Sequence, residues 1–170
     1  HDALPIWRTA EREHAVGPRA GGVDHGVGAN LFERAGLGVF DDGALDPAHV
    51  DLSRLNGGAP LLNTHGALDL EDVIGVVERA WIARENGNYV GRATVRFSDR
   101  ADVEPIWQDV KGGIIRNVSV GYAVRAYEIR EEEGTIPVWT AVDWQPLELS
   151  AVPVGADGAA GFRSQPTPTT

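Results

Sequence analysis

Few residues in this chain can do chemistry, and their types narrow the choice. No cysteine occurs among the 170 residues, which removes thiol nucleophiles, disulfides and zinc ribbons together. Lys111, the only lysine, precedes Gly112-Gly113, where a cation suits a helix C-terminus better than it suits Schiff-base work. His1, His14, His25, His49 and His65 fit no local metal-ligand spacing, so neither a metal nor a cofactor is expected. There is no Gly-x-Ser-x-Gly elbow, no His-Glu-x-x-His and no phosphate loop, and Gly26-Val27-Gly28 follows no strand. What remains is a hydroxyl nucleophile with a histidine base and an orienting third group, which must converge in space and not in sequence. Ser119 and His65 are candidates for the first two. Each also has a plainer reading that is the commoner one by position alone: Ser119 as a half-buried strand hydroxyl, His65 as a loop histidine.

The elements that would carry these residues can be read from pattern. Pro60-Leu61-Leu62-Asn63 is a short apolar run that delivers Thr64-His65-Gly66 into a loop, so the histidine sits at a strand exit. Before it, Asp46 as N-cap and Pro47 at the first helical position predict a short helix carrying Val50 and Leu55, stopped by Gly57-Gly58. Val73 to Ala83 and Tyr89 to Phe97 predict a hairpin around residues 84–88, with Ala93, Val95 and Phe97 on its buried face. Ser98 or Asp99 is expected to cap a helix of about three turns, with Val103, Ile106, Trp107 and Val110 forming one apolar stripe. Residues 114–129 then alternate: Val118, Val120, Tyr122 and Val124 on one face, Asn117, Ser119, Gly121 and Ala123 on the other. The small neighbours of Ser119 leave room for another chain to approach its hydroxyl. Two further strands are predicted over 136–144 and 147–154, after the polar turn Glu131–Gly134.

Composition sets the outer bounds. The length is that of one ordinary domain with a core of its own, and 42% hydrophobic with 24% charged residues is a globular balance. Fifteen basic against 25 acidic residues give a net charge of −10, which disfavours nucleic acid and anionic lipid as partners. No run of roughly 18 apolar residues is present to span a membrane. Residues 1–44 read as a glycine-rich segment with the first strand or strands, including a loop from Gly17 to Gly28. Residues 45–160 read as the core of the domain, and residues 161–170 as a Pro/Thr-rich linker.

Four blocks occur together in one order: Pro60-Leu61-Leu62-Asn63-Thr64-His65; Gly75-Val76-Val77-Glu78-Arg79-Ala80-Trp81; Gly112-Gly113-Ile114-Ile115-Arg116-Asn117-Val118-Ser119-Val120-Gly121-Tyr122; and Pro146-Leu147-Glu148-Leu149-Ser150-Ala151-Val152-Pro153-Val154. Over about residues 45 to 160 the chain resembles the HK97-type prohead serine proteases of tailed phages. With Asp51-Leu52-Ser53-Arg54-Leu55 ahead of the histidine block, it is also similar to proteases fused in front of a major capsid protein. The resemblance implies a fold like that of herpesvirus assemblins, a mainly β (α+β) domain built on an antiparallel β-barrel with a few flanking helices. The residue patterns agree independently only with a β-rich domain carrying one amphipathic helix.

Position by position, the resemblance makes His65 the general base and Ser119 the nucleophile. Glu148 is the residue expected to orient His65, with a solvated strand carboxylate as its plainer reading. Where the family often has an acidic residue after the histidine, this chain has Gly66, which leaves Asp69 or Asp72 as alternative carriers of that charge. The implied chemistry is peptide hydrolysis through an acyl-enzyme, with backbone N–H groups at the oxyanion, those near Gly155 being one candidate set. The implied substrates are the scaffold segment of the major capsid protein, internal prohead proteins and the chain itself, with a homodimer by analogy, in the host cytoplasm inside the assembling prohead. Two rivals stand beside this reading. One is a non-catalytic capsid scaffold or assembly module on the same fold, the other a metal-dependent hydrolase using His14, His25, His49 and nearby acids.

Overall fold

The computed structural model describes residues 2–8, 39–40, 45–134, 137–155 and 160–162, the first two segments by backbone alone. Among these residues seven strands make one sheet: β1 (Asp2–Arg8), β2 (Val39–Phe40), β3 (Pro60–Asn63), β4 (Val73–Glu85), β5 (Asn88–Phe97), β6 (Asn117–Arg130) and β7 (Val138–Val152). Two helices accompany them, α1 (Ser53–Asn56) and α2 (Glu104–Lys111). The expected loop over Gly17–Gly28 lies outside the described residues.

The β4–β5 hairpin forms where the sequence places it. Its two-residue turn is Asn86-Gly87, with φ of 49° and 86°, the pair of positive values that matches the twist of a type I′ hairpin. The other elements depart from expectation in instructive ways. The helix predicted from Asp46 is only a turn, in which Asp46 Oδ1 accepts Ala48 N–H, because Val50 and its neighbours are drawn into pairing with Trp144 of β7. The helix there is α1, four residues held to β4 by the Asn56 side chain, which bonds both the N–H and the carbonyl of Ala80. α2 has Val103 at its N-cap in place of Ser98 or Asp99, and spans eight residues; Val103 is buried while Ile106, Trp107 and Val110 are half-buried. The two strands predicted at 136–144 and 147–154 are one, β7. Pro146 sits inside it at a register shift, where Gly121 faces Glu148 but Tyr122 faces Pro146, so the missing N–H falls at a bulge.

Topology brings the one large correction to the fold. The sheet is mixed and open rather than an antiparallel barrel: β1-β5-β4-β3 pair antiparallel in that order, but β3 runs parallel to β7 through Leu61↔Leu149, Leu62↔Ser150 and Asn63↔Ala151. β2 is also parallel to β7, and β6 pairs with β7 antiparallel along its other edge. Among the described residues no ladder joins β1 to β6, so the ring is not closed. The mainly β class holds.

The core lies on the face shared by Leu61, Ile74, Val77, Val95, Val118 and Leu149, with Leu55 of α1 and Val103 inserted from the helices. Each such side chain contributes about 1.5–3 kcal/mol by leaving water. Phe97 stacks on Trp107 at 5.1 Å and on Phe162 at 5.8 Å, which ties α2 and residues 160–162 to β5. Gly161 bridges Asn117 at the start of β6. Among the described residues no helix is long and apolar enough to cross a membrane.

Candidate functional site

β7 is the strand on which the site is built. Residues two apart on a strand share a face, and directly paired residues of neighbouring strands share it too. Leu149 faces the core with its partners Leu61 and Val120; Glu148 and Ser150 therefore face the other side, with Gly121 and Ser119 opposite them on β6. Gly121 is small for a reason: a Cβ there would collide with the Glu148 carboxylate. Alternation alone predicts that Ser119 shares its face with glycine and alanine, and the structure adds that the vacated volume holds Glu148.

β3 delivers the histidine from the opposite edge of β7. The Thr64 N–H donates to the Ala151 carbonyl at 2.9 Å, extending the parallel ladder by one step, and Gly66 N–H closes a turn onto the Asn63 carbonyl at 2.9 Å. Within that turn Thr64 and His65 have φ of 52° and 57°. Two consecutive side-chain-bearing residues in the left-handed region, one of them β-branched, cost about 1–2 kcal/mol each. Strain of this kind collects where surrounding contacts impose it.

Those contacts converge on His65. Its Nδ1 lies 2.5 Å from Glu148 Oε1, with the two side chains only 18% and 14% exposed. A carboxylate can only accept, so Nδ1 carries a proton in this contact, and in the neutral ring Nε2 is then the nitrogen with the lone pair. The second carboxylate oxygen, Oε2, accepts from Ser150 Oγ at 2.7 Å, and the same Oγ accepts the His65 backbone N–H at 3.1 Å. Ser150 is fully buried, the one buried polar side chain among the described residues. Sequence reasoning passed over it, although the i, i+2 spacing from Glu148 along a strand was the available signal.

Of the three sequence candidates, His65 and Glu148 are in direct contact. Ser119 is the cross-strand partner of Ser150, which sets their Cβ atoms about 5 Å apart, but it makes no hydrogen bond with His65 in this structure. Of the alternative acids, Asp69 is the N-cap of the short 3-10 turn Leu70–Asp72 and Asp72 is committed elsewhere. The Asp72 carboxylate accepts the N–H groups of Leu68 and Asp69, both at 3.1 Å, and so folds the loop that follows the histidine. Gly66 belongs to that arrangement, since a Cβ there would lie 2.7 Å from Asp72 Cγ. Arg100 straps the same loop from outside, donating to the carbonyls of Leu70 and Glu71 while it pairs with Asp102. Two leucines on this strapped loop, Leu68 and Leu70, are almost fully exposed. Gly155 follows β7 at the end of the sheet where His65 emerges.

A second polar cluster lies toward the other end of β7. Asp51 accepts from Arg125 and Gln145, both at 2.8 Å, and Arg125 also pairs with Asp143. Hydrogen bonds from Ser53 and then Arg125 hold the Asp51 carboxyl well below its ordinary range, at about 2. This cluster joins the turn before α1 to β6 and β7. No group of three or more potential metal ligands occurs among the described residues; His14 and His25 lie outside them.

Comparison with known proteins adds one relation. Over 121 residues the chain is 40% identical to a protein named major capsid protein from Halomonas phage phiHAP-1. The match takes in 71% of this chain but 20% of that protein, so the chain spans about a fifth of its relative's length. No protein-family profile matches the chain. No solved structure matches it either.

Proposed function

We propose that the chain is a capsid-associated domain of a tailed phage and that its β3–β7–β6 site is that of a serine endopeptidase acting in capsid maturation, of the HK97-type prohead protease kind. The observation that carries this reading is the His65–Glu148 contact, made inside a strained turn that the rest of the fold maintains. The protonated Nδ1 leaves Nε2 as the base. When substrate closes the gap, Nε2 takes the Ser119 proton as Oγ attacks a peptide carbonyl; the oxyanion is met by backbone N–H groups; the imidazolium returns the proton to the leaving amine. Water, deprotonated by the same Nε2, then hydrolyses the ester. Substrates would be the scaffold segment of a major capsid protein, internal prohead proteins and the chain itself.

A second reading has its own support. The relative's name is that of a shell component, and it speaks for a non-catalytic scaffold or assembly module more directly than for a peptidase. The two separate in one experiment: expression of the full-length protein with its capsid protein, wild type beside Ser119→Ala, and mass spectrometry of the products. Cleavage that disappears only in the variant supports the peptidase; identical products, or none from either, favour the assembly module.

A further inference from the structure

Resting on the peptidase reading, we propose that Ser150 is a positioning residue, a single hydroxyl that sets both the ring and the backbone of His65 relative to Ser119. A serine hydroxyl has one proton to donate and lone pairs to accept with, and Ser150 uses both. Its proton goes to Glu148 Oε2, which fixes the rotation of the carboxylate and hence the aim of Oε1 at His65 Nδ1. Its lone pair takes the His65 N–H, which holds the residue at its positive φ. One atom thus holds the histidine twice, directly at its backbone N–H and, by way of Glu148, at Nδ1 of its ring.

The location gives this clamp its consequence. His65 leaves β3 on one edge of β7, and Ser119 lies on β6 along the other edge, directly opposite Ser150. Ser150 stands between the base and the nucleophile, on the strand to which both of their strands are bonded. Without its hydroxyl, two buried or half-buried polar groups lose their partner at once, and the histidine turn is free to relax away from the left-handed conformation.

The test uses the purified protein and a fluorophosphonate, which labels an activated serine hydroxyl. Ser150→Ala is expected to lower the saturating labelling rate at Ser119 by about 10- to 100-fold, the usual scale for a partner that orients another ligand, while the half-saturating probe concentration stays unchanged. Ser150→Thr, which keeps the hydroxyl, is expected to restore the rate. In parallel, nuclear magnetic resonance of the 15N-labelled protein should show a downfield His65 Nδ1–H proton in the wild type and in Ser150→Thr and lose it in Ser150→Ala. If Ser150→Ala does not fold, Ser150→Cys, a weak donor of similar size, replaces it. Wild-type labelling and an unchanged Nδ1–H signal in the alanine variant overturn the clamp. Equal labelling of wild type and Ser119→Ala sinks the peptidase reading instead, and the Nδ1–H signal then decides the clamp alone.

Discussion

Gly121 faces Glu148 across the β6–β7 ladder, and the Glu148 carboxylate occupies the volume that a side chain at 121 would need. A glycine two residues beyond the candidate nucleophile therefore sets the position of the acid behind the candidate base. Gly121→Ala is expected to push the carboxylate off His65 Nδ1 and to destabilise the domain by about 1–3 kcal/mol, as overpacking usually does. Urea unfolding measures the second effect, and the His65 Nδ1–H resonance reports the first.

Glu148→Gln isolates the charge from the packing. An amide can donate to Nδ1 and so stabilise the opposite tautomer, which would leave Nε2 protonated and unable to act as a base. On the proposed peptidase reading, cleavage of a capsid-protein substrate is expected to fall by about 10³- to 10⁴-fold in kcat with thermal stability little changed. A variant that retains wild-type kcat would remove Glu148 from the mechanism.

Thr64 carries left-handed backbone strain without a side chain suited to it. Asparagine tolerates this region, so Thr64→Asn is expected to raise the unfolding free energy by about 1 kcal/mol. Denaturant melts of the two proteins, compared at equal m-value, provide the check.

At Gly66 the expected change has the opposite sign. Aspartate there, the acidic type that often follows the histidine in the resembled family, would set its Cβ against the Asp72 carboxylate and bring two like charges together. Gly66→Asp is expected to cost about 1–3 kcal/mol and to release the Leu68 and Asp69 amides. Hydrogen exchange at those two amides should accelerate while that of β4 and β5 is unchanged.

The Asp51 cluster supplies a pH dependence. Its carboxyl is held at about 2 against an ordinary 3.8, so the stability it contributes is complete above about pH 4 and is lost as the pH falls through about 2. In Asp51→Asn that contribution is absent at every pH. The stability difference between wild type and variant should be constant from pH 7 to about 4 and shrink steadily toward pH 2, as followed by acid-dependent thermal melts.

How much of this was legible depends on range. Asn86-Gly87 identifies its hairpin because the turn chemistry is local, and the alternation at 117–124 assigned Ser119 and Gly121 to one face. The His65–Glu148 contact joins residues 83 apart, and no periodicity encodes it; only the order of the four resembling blocks suggested that pair. Pro146 made β7 look like two strands, because a bulge that absorbs a proline is visible only against the partner strand. The parallel pairing of β3 with β7 was hidden for the same reason, and with it the open sheet. Ser150 is legible in the sequence only as the i+2 neighbour of Glu148 on one strand face; its link between acid and histidine shows only in its two hydrogen bonds.

The parallel β3–β7 pairing also makes the site a product of late assembly. A growing chain can complete the β4–β5 hairpin and α2 from neighbouring residues, yet His65 has no acid to meet until residues 148–150 have been synthesised and inserted between β3 and β6. Contacts that span so much chain form slowly, since the intervening segment must surrender its freedom first. The unfinished polypeptide thus holds its histidine in an unformed turn, and the candidate site exists only once the sheet's central seam has closed.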